Sequence, residues 1–596
     1  MASSQVNQAQ ASSRLLFAAF WISRLLPRTP IFQRPALSPM DNPGEDVPTN
    51  IAGWVQSETV DYTVSDGNAA RTWDGNQTIY EWNDEFGDVG PKFPDLEREL
   101  FGAPENRLRR TGLDFSKIAQ IEVQQEGPVK IEPIAAFKDA GLHPVMLENV
   151  QLAGYLNPTP IQKFTIPSIL QGHDVIGIAQ TGSGKTAAYL IPILSKLMGK
   201  AKKLAAPRPN PATFVENRDE IVAEPLVLII VPTRELAVQI FNEARKFCYR
   251  TMLRPGVVYG GTPIFEQFKL LGRGCDILVG TPGRLVDILQ RGGFLTLRRL
   301  KYMIIDEADE MLDFSWDEAL NHILSGSEQD VGTVNFGLFS ATFPKEAREL
   351  AKKQISASHV RFRVGRAGST TENIQQNVIL ATNQNKRQLL VKLLEDIPGV
   401  RTIIFVNSRQ AVDSLDDFLF NLQLPVTSLH SDRTQVEREA ALRSFRKGAA
   451  PILVATGVMA RGIDIQNVMH VINFDLPTIE HGGIQEYTHR IGRTGRIGHR
   501  GIASSLFDEE RDEALASVLI RTLMETNQLV PDFLRHYMPH GETAVKFETE
   551  SDFDLDEYNM ERGAGGGEDA VGGAGGGEDA VGGDGCWGPS AKSTGW

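Results

Sequence analysis

The stretch "DVIGIAQTGSGKTAAYLIPILSKLM" (174–198) contains the pattern that decides the fold. An apolar run leads into a Gly-rich loop and then into a helical pattern, which is the context of a phosphate-binding loop of the form G-x-x-x-x-G-K-[ST]. Gly182 and Gly184 let the backbone turn its N–H groups toward phosphate oxygens, and Lys185 supplies a positive charge. Ala179 stands where the first glycine is usual, so we expect this turn to tolerate a small Cβ.

Short β-branched runs alternate with helical patterns through the middle of the chain. This alternation predicts βαβ units and parallel sheets covered by helices. The runs fall into two groups separated by "RVGRAGSTTEN" (363–373), which has the composition of a linker. We therefore predict an α/β protein with two lobes of similar size joined by a hinge. Ligands of open parallel sheets bind beyond the carboxyl ends of the strands, where we expect the chemistry.

Length and composition agree with this organisation. A chain of 596 residues is too long for one ordinary domain, and 41% hydrophobic with 23% charged residues is typical of a soluble globular protein. Its three cysteines, Cys248, Cys275 and Cys586, lack C-x-x-C spacing, which argues against a zinc site or a disulfide framework. The net charge of -14 is concentrated in the two ends, and the weakly basic middle is compatible with a phosphate-backbone ligand.

The two ends of the chain have unusual compositions. Residues 1–40 have no acidic side chain, and "RLLFAAFWISRLLPR" (14–28) has the composition of a mitochondrial transit peptide but is too short to span a bilayer. Met40 opens an acidic segment, so an upstream extension that is not translated from the main start is a further reading. We expect a cytoplasmic protein, with a mitochondrial location as the alternative. The far end repeats "AGGGEDAVGG" at Ala564 and Ala574, typical of a flexible tail.

A nucleotide site of this type needs an acidic partner for its metal ion. In "YMIIDEAD" (302–309), Asp306 emerges from an apolar run and is predicted to hold Mg²⁺ together with Thr186. Glu307, beside it, is placed to orient or deprotonate an attacking water. An acidic helix start would explain Asp309 and Glu310, but not the paired carboxylates directly after the strand.

The transition state also needs a cation. "HRIGRTGR" (489–496), in the second group of strands, has arginines at 490, 493 and 496. A spacing of three puts them on nearly one helical face, so one or two are candidate arginine fingers that reach across the cleft between the lobes.

These motifs together resemble the DEAD-box RNA helicases, over roughly residues 130 to 530. The likeness is greatest to the Vasa and translation-initiation branch, through "EARKFCYRTMLRPGVVYGG" (243–261) and a Pro-rich insert after the phosphate-binding loop helix. Alanine at the first loop position is usual in that family. The motifs stand in the family's order, preceded by the Q motif "GYLNPTPIQ" (154–162): "AQTGSGKT" (179–186), "PTRELA" (232–237), "TPGR" (281–284), "DEAD" (306–309), "SAT" (340–342), "IIFVNS" (403–408), "ARGID" (460–464) and "HRIGRTGR" (489–496).

The resemblance implies two tandem RecA-like parallel-sheet domains joined by a short linker, with disordered acidic tails. The expected boundaries are a basic N-terminal extension (1–40), an acidic and mostly disordered segment (41–130), an ATP-binding domain with the Q motif (131–364), a linker (365–373), a C-terminal helicase domain (374–530) and an acidic Gly-rich disordered tail (531–596).

The resemblance also implies roles for single residues at the ATP site. Gln162 would read the edge of adenine and Phe137 would stack on its face. Ser340 and Thr342 would couple the state of the γ-phosphate to RNA binding, and Arg493 and Arg496 would be the fingers. His489 would join the network between the lobes. The remaining nucleotide contacts would come from Ala179, Gln180, Thr181, Gly182, Ser183, Gly184, Lys185 and Thr186 in the first lobe and from Asp464 in the second.

RNA would be held through its backbone, without contacts to base edges. The first lobe would contribute Pro232, Thr233, Arg234, Gly260, Gly261, Thr281, Gly283 and Arg284, and the second Gln435, Arg438, Thr456 and Gly462. The chain departs from the family pattern at Ser431 and Gly457, and it lacks the RGG repeats of Vasa-like tails. We expect the tails to bind protein partners, and no membrane association.

The expected function is that of an ATP-dependent RNA helicase that binds and locally unwinds duplexes or remodels RNA–protein complexes, with translation initiation as a candidate process. The alternative is an ATP-controlled RNA clamp or scaffold in mRNA–protein granules that unwinds little. A DNA helicase is a third possibility, which the "DEAD" and "SAT" forms weaken.

Overall fold

The computed structural model describes residues 89–102, 121–198, 215, 218, 220–312, 317–325, 334–356, 358–365, 373–457, 468–495 and 500–538. It contains two sheets, and every pair of neighbouring strands is parallel except one at an outer edge. The predicted α/β class with two tandem parallel-sheet lobes is therefore confirmed.

The first lobe is built on an eight-stranded sheet with the order β1-β8-β2-β7-β6-β3-β5-β4. The inner strands are buried on both faces, which is why they read in the sequence as continuous apolar runs. The edge strand β1 pairs antiparallel with β8. The strands are β1 (Val123–Glu126), β2 (Val175–Ile178), β3 (Val227–Ile230), β4 (Pro255–Val258), β5 (Ile277–Gly280), β6 (Tyr302–Asp306), β7 (Asn335–Ser340) and β8 (Val360–Val364).

The second lobe has a six-stranded sheet with the order β11-β12-β10-β13-β14-β9. Apolar clusters cover both of its faces, one around Leu419 and Val454 and another around Phe405 and Phe445. The strands are β9 (Ile374–Leu380), β10 (Arg401–Val406), β11 (Val426–Leu429), β12 (Ile452–Thr456), β13 (Val468–Asn473) and β14 (Gly501–Phe507).

Helices lie between the strands of both lobes. Those that carry motif residues begin at residues that suit helix starts: Thr233 caps one with its hydroxyl, and Thr434 and Glu437 form a capping box at another. The helices are α1 (Pro94–Phe101), α2 (Pro144–Leu152), α3 (Pro160–Gln171), α4 (Lys185–Met198), α5 (Arg234–Phe247), α6 (Ile264–Gly272), α7 (Pro282–Arg291), α8 (Ala308–Leu312), α9 (Asp317–Ser325), α10 (Lys345–Gln354), α11 (Lys386–Asp396), α12 (Arg409–Asn421), α13 (Gln435–Lys447), α14 (Gly483–Ile491) and α15 (Glu509–Glu525).

Part of the segment that we expected to be mostly disordered belongs to the first lobe. Helix α1 and strand β1 both fall inside 41–130. The Phe101 ring contacts the Tyr249 ring at 5.6 Å, and the Tyr249 hydroxyl accepts a hydrogen bond from the Phe93 N–H at 3.0 Å. Glu99 pairs with the buried Arg245 at 3.1 Å. The packing of α1 on the first lobe could not be predicted from the sequence, because α1 is short and its partners lie about 150 residues away.

The opposite end of the folded region also differs from expectation. Asp532–Tyr537 forms a 3-10 helix inside the segment predicted as a disordered tail, and Leu534 is fully buried against the second lobe. Residues 1–88 and 539–596, with the candidate targeting segment and the Gly-rich repeat, lie outside the described residues. Within the described ranges, no helix has both the length and the apolar character needed to cross a lipid bilayer.

Candidate active site

The loop 179–186, which we call the phosphate-binding loop, connects β2 to the start of α4. Gly182 and Gly184 have φ of 81° and 89°, the left-handed region that glycine adopts without strain. Ala179 is not among the described non-glycine residues with positive φ, so its Cβ fits the turn without strain. The Lys185 ammonium donates to the Ala179 carbonyl at 2.5 Å, inside the loop. The loop thus has the backbone form and the charge that a polyphosphate needs.

The carboxylates of Asp306 and Glu307 lie at the end of β6. Glu307 has φ of 52°, a strained conformation for a residue with a side chain, and its N–H donates to Asp306 Oδ1 at 3.0 Å. One Glu307 carboxylate oxygen is buried without a hydrogen-bond partner. Burial raises the pKa of Asp306, Lys185 opposes the shift and the neighbouring Glu307 adds to it, so that the pKa of Asp306 is about 6. An acceptor that is buried and unpartnered is poised for a ligand.

Tyr189 joins the two residues that we predicted as metal ligands. Its hydroxyl donates to Asp306 Oδ2 at 2.9 Å and also interacts with the Thr186 side chain. Burial, followed by the charge of Asp306, raises the pKa of Tyr189 well above its ordinary value, so the phenol stays protonated. The Thr186 side chain and the Asp306 carboxylate therefore both interact with the Tyr189 hydroxyl at the end of the phosphate-binding loop.

These oxygen ligands fit Mg²⁺. Among the described residues, no group of three or more His, Cys, Asp or Glu side chains is arranged to hold a metal ion alone. Mg²⁺ commonly uses one or two protein oxygens and takes its other ligands from waters and substrate phosphates. Thr186 and Asp306 would supply the protein oxygens.

Asp309 connects three motifs. Its Oδ2 accepts from the Thr342 N–H at 2.8 Å and from the Thr342 hydroxyl at 2.7 Å, and its own N–H donates to the Ser340 hydroxyl at 3.2 Å. His489 of the second lobe lies 3.8 Å from Asp309 Oδ2 and 3.7 Å from a Glu310 oxygen. Burial raises the pKa of Asp309, but the His489 charge and these hydrogen bonds outweigh it, and the net pKa is lowered. From the sequence we interpreted Asp309 as part of an acidic helix start, and we did not predict that it links Thr342 to His489.

Arg490 and Arg493 do not share one helical face, which corrects our prediction. Helix α14 ends at Ile491, so Arg493 lies in the turn beyond it, where its Nε donates to the His489 carbonyl at 2.9 Å. Arg490 is bound inside the second lobe by Glu486 and by the Asp475 carbonyl. The predicted finger Arg496, the predicted nucleotide contact Asp464 and the predicted RNA contact Gly462 lie outside the described residues.

Gly457, a departure from the family pattern, adjoins the same ion pair. A Cβ at this position would overlap the Glu486 carboxylate, which is held at 2.9 Å from Arg490. Glycine therefore leaves room for a buried pair that anchors α14.

The Q motif packs beneath the phosphate-binding loop. Gln162 is fully buried; its Oε1 accepts from the Thr159 N–H at 3.0 Å, and its Nε2 donates to the Gly184 carbonyl at 3.1 Å. Phe137 is also buried and meets the Tyr155 ring edge-on at 6.4 Å. The structure thus brings Gln162 to the loop, while adenine reading by Gln162 and stacking by Phe137 stay predictions.

Several of the predicted RNA contacts of the first lobe lie together beyond the ends of β3, β4 and β5. The Arg234 guanidinium rests on the backbone of Gly260 and Gly261, so closely that a Cβ on Gly261 would overlap it. Arg284 donates to the Thr262 carbonyl at 3.0 Å, and its other terminal nitrogen is buried without a partner. Thr233 and Thr281 occupy helix N-caps, Pro232 and Thr281 are buried, and Gly283 is exposed.

The second lobe meets this surface through a group of residues that we call the cross-lobe cluster: Arg234, Glu235 and Tyr259 of the first lobe with Gln435, Arg438 and Glu439 of the second. Arg438 forms a buried ion pair with Glu235, and Arg234 donates to Gln435 Oε1 at 3.3 Å. Tyr259 hydrogen-bonds Glu439, while burial raises its pKa. Gln435 and Arg438, predicted to grip RNA, therefore link the lobes in this structure. Thr456 ends β12 and is partly exposed.

Comparison with known proteins gives the family. Residues 159–350 match the family model for the DEAD/DEAH box helicase, and residues 385–498 match the model for the helicase conserved C-terminal domain. Together they span just over half of the chain, and residues 306–309 read Asp-Glu-Ala-Asp. The chain belongs to the DEAD-box helicases. It is an ATP-dependent RNA helicase with RecA-like domains, as predicted from its motifs.

Three solved structures are similar to this helicase. S. cerevisiae Dbp5 bound to RNA and ADP BeF3 is 27% identical, with a TM-score of 0.55 over 67% of this chain and 95% of that chain. Mss116p bound to ssRNA and AMP-PNP is 26% identical, with a TM-score of 0.56 over 68% of this chain and 80% of that chain. Prp28 from Chaetomium thermophilum bound to ADP is 34% identical, with a TM-score of 0.35 over 69% of this chain and 94% of that chain.

Proposed function

We propose that ATP and RNA together close the two lobes of this helicase over one active site, and that hydrolysis reopens them. The observation that carries this proposal is the contact chain from Thr342 through Asp309 to His489, which joins the DEAD motif to the second lobe. Because these groups meet only when the lobes are together, the ATP site and the cleft change in concert.

The first lobe provides most of the chemistry. The phosphate-binding loop and Lys185 bind the β- and γ-phosphates, and Gln162 with Phe137 selects adenine. Thr186 and Asp306 would hold Mg²⁺, which would neutralise phosphate charge. Glu307, with its unpartnered buried oxygen, orients the attacking water and accepts its proton as the oxygen bonds to the γ-phosphorus and ADP leaves. Asp464, from the second lobe, approaches the ribose.

The second lobe supplies the missing cations. Arg493 is 3% exposed in a turn that leads from His489, and it carries the charge needed for the transition state, together with Arg496. RNA is held through its backbone by the predicted contacts of the first lobe and by Thr456 and Gly462 of the second, while Gln435 and Arg438 link the lobes. Dbp5 and Mss116p, whose similar structures hold RNA with an ATP analogue or ADP BeF3, support simultaneous binding of both ligands.

We further propose that the helicase belongs to the Vasa and translation-initiation branch, acts in the cytoplasm on mRNA, and binds protein partners through its acidic tails. The stretch 243–261 and the Pro-rich insert after α4 support the branch. One relative, S. cerevisiae Dbp5, is bound to Gle1 in a solved structure, which is an instance of a protein partner for a similar chain.

A strand-displacement assay tests this function. With ATP, the full chain should separate a short RNA duplex and bind single-stranded RNA, whereas Lys185→Ala should do neither because nucleotide binding is lost. An ATP-controlled clamp would bind RNA with a non-hydrolysable ATP analogue and leave the duplex intact with ATP. That result would replace the unwinding function by the clamp.

A further inference from the structure

Phe265 is an exposed aromatic side chain beside the proposed RNA-gripping loops. It is 71% exposed, and among the exposed large apolar side chains of the described first lobe it is the most exposed and the sole aromatic. Burying a phenylalanine ring stabilises a protein by about 2 kcal/mol, so a ring left in water at a fixed place suggests a partner that covers it.

The position of Phe265 is fixed relative to the backbone-gripping loop. It lies in the first turn of α6, which begins three residues after Gly261. Gln267, in the same turn, donates from Nε2 to the Tyr259 carbonyl at 2.8 Å and to the Thr262 hydroxyl at 2.5 Å. Arg284 holds the Thr262 carbonyl from the other side at 3.0 Å. The Gly-Gly loop and the start of α6 therefore form one rigid unit.

Phe265 packs against a pair of stacked aromatic rings. Its ring meets Phe268 at 90° with centroids 6.1 Å apart, and Phe268 is stacked on Phe294 at 3.7 Å with an interplanar angle of 6°. Phe268 is buried, whereas the outermost ring stays open to solvent. An edge-on neighbour fixes the orientation of the outer ring while leaving it available for stacking.

We propose that Phe265 stacks on an unpaired nucleobase immediately beyond the RNA segment gripped by the Gly-Gly loop. The inference rests on the proposed RNA path across Gly260, Gly261 and Arg284. Backbone contacts alone bind any sequence, and stacking adds affinity without adding base-edge readout, because every base has a π-face. A nucleobase is favoured over an apolar protein segment because Arg234 lies on the Gly260-Gly261 backbone and Arg284, with one unpartnered nitrogen, holds the Thr262 carbonyl, so that positive charge lines the loop that leads into α6, where a phosphate backbone would run.

The test uses the full chain with AMP-PNP and single-stranded RNAs lengthened by one nucleotide at a time from either end. For the unchanged protein, affinity should rise in one step, of roughly 5- to 100-fold, when a base first reaches Phe265. Phe265→Ala should lack that step, Phe265→Tyr should retain it, and an abasic nucleotide at that position should remove it from the unchanged protein. Leu529→Ala, which trims an apolar side chain that is 83% exposed on the second lobe, is the matched control.

Three outcomes separate the hypotheses. A step in RNA affinity that persists unchanged in Phe265→Ala would overturn the stacking proposal. The exposed ring would then be assigned to a contact with a protein partner. Loss of affinity by the same factor for every RNA length, including the shortest, would also overturn it, because the ring would then act on the gripped segment itself. No RNA binding by the unchanged protein with AMP-PNP would instead refute the proposed function.

Discussion

Arg438→Ala tests whether the cross-lobe cluster holds the closed state. Arg438 and Glu235 are 8% and 5% exposed, and they belong to different lobes. Removing one partner of a buried ion pair costs about 2–5 kcal/mol, because the other charge stays buried without compensation. Glu235 is exposed to water again when the lobes separate. Arg438→Ala therefore raises the free energy of the closed state relative to the open state. At about 3 kcal/mol, closure should weaken by roughly 100-fold.

Closure can be followed by energy transfer between dyes on cysteines placed at the exposed Lys353 and Lys447, one in each lobe. In the presence of AMP-PNP, the RNA concentration that gives half-maximal transfer should rise by roughly 100-fold in Arg438→Ala. The control variant Arg409→Ala breaks an exposed ion pair with Asp432 inside the second lobe. It should change the RNA concentration for half-maximal transfer by less than about 5-fold.

The double variant Glu235→Ala/Arg438→Ala distinguishes a lobe link from an RNA contact. If the two side chains act as a pair and each single variant costs about 3 kcal/mol, the double variant should lose no more closure than either single variant, which is a coupling energy of about 3 kcal/mol. If Arg438 gripped RNA alone, Glu235→Ala would leave closure intact and the two effects would add. Additive effects would refute the cross-lobe role.

Three further perturbations give distinct results. Glu307→Gln removes the group that accepts the water proton, so ATP turnover should fall at least about 100-fold while RNA stays bound with ATP, as read by dissociation kinetics; rapid release would contradict the assigned role. Burial lowers the pKa of His470 to about 4, so the unfolded chain takes up this proton first and stability falls as the pH drops from 6.5 toward 4. Between pH 7 and pH 5 this loss should be about 2 kcal/mol in urea unfolding of the second lobe, and His470→Gln should lack it. Phe101→Ala should lower the unfolding free energy of the first lobe by about 3 kcal/mol, and no change would mean that α1 does not dock.

The strands that the sequence predicted are those with continuous apolar runs. β8 has no such run, because Arg361 and Arg363 interrupt its apolar pattern, although both are buried. Arg361 is tolerated there because Glu126 of β1 pairs with it at 3.1 Å, a partner more than 200 residues away. Burial of a charge through a distant partner leaves no local signal.

At the active site, too, only residues with a local sequence pattern could be predicted. The loop, the DEAD carboxylates and the Gly-Gly turn each have a local pattern, so they could be predicted from the sequence. Asp309 and Glu235 could not, because their partners lie in other motifs or in the second lobe. The arginine spacing led to a wrong prediction because α14 ends at Ile491, within the motif. Glu235 stands within "PTRELA", which was the one signal that could have pointed to it.

The most direct test of the account is the rate of ATP hydrolysis by the full chain with and without RNA. If RNA helps to bring His489 and Arg493 to the DEAD motif, saturating single-stranded RNA should raise turnover by at least about 10-fold, and single-stranded DNA should raise it far less. A rate that is indifferent to RNA would show that the first lobe completes the ATP site alone, and it would contradict coupled closure.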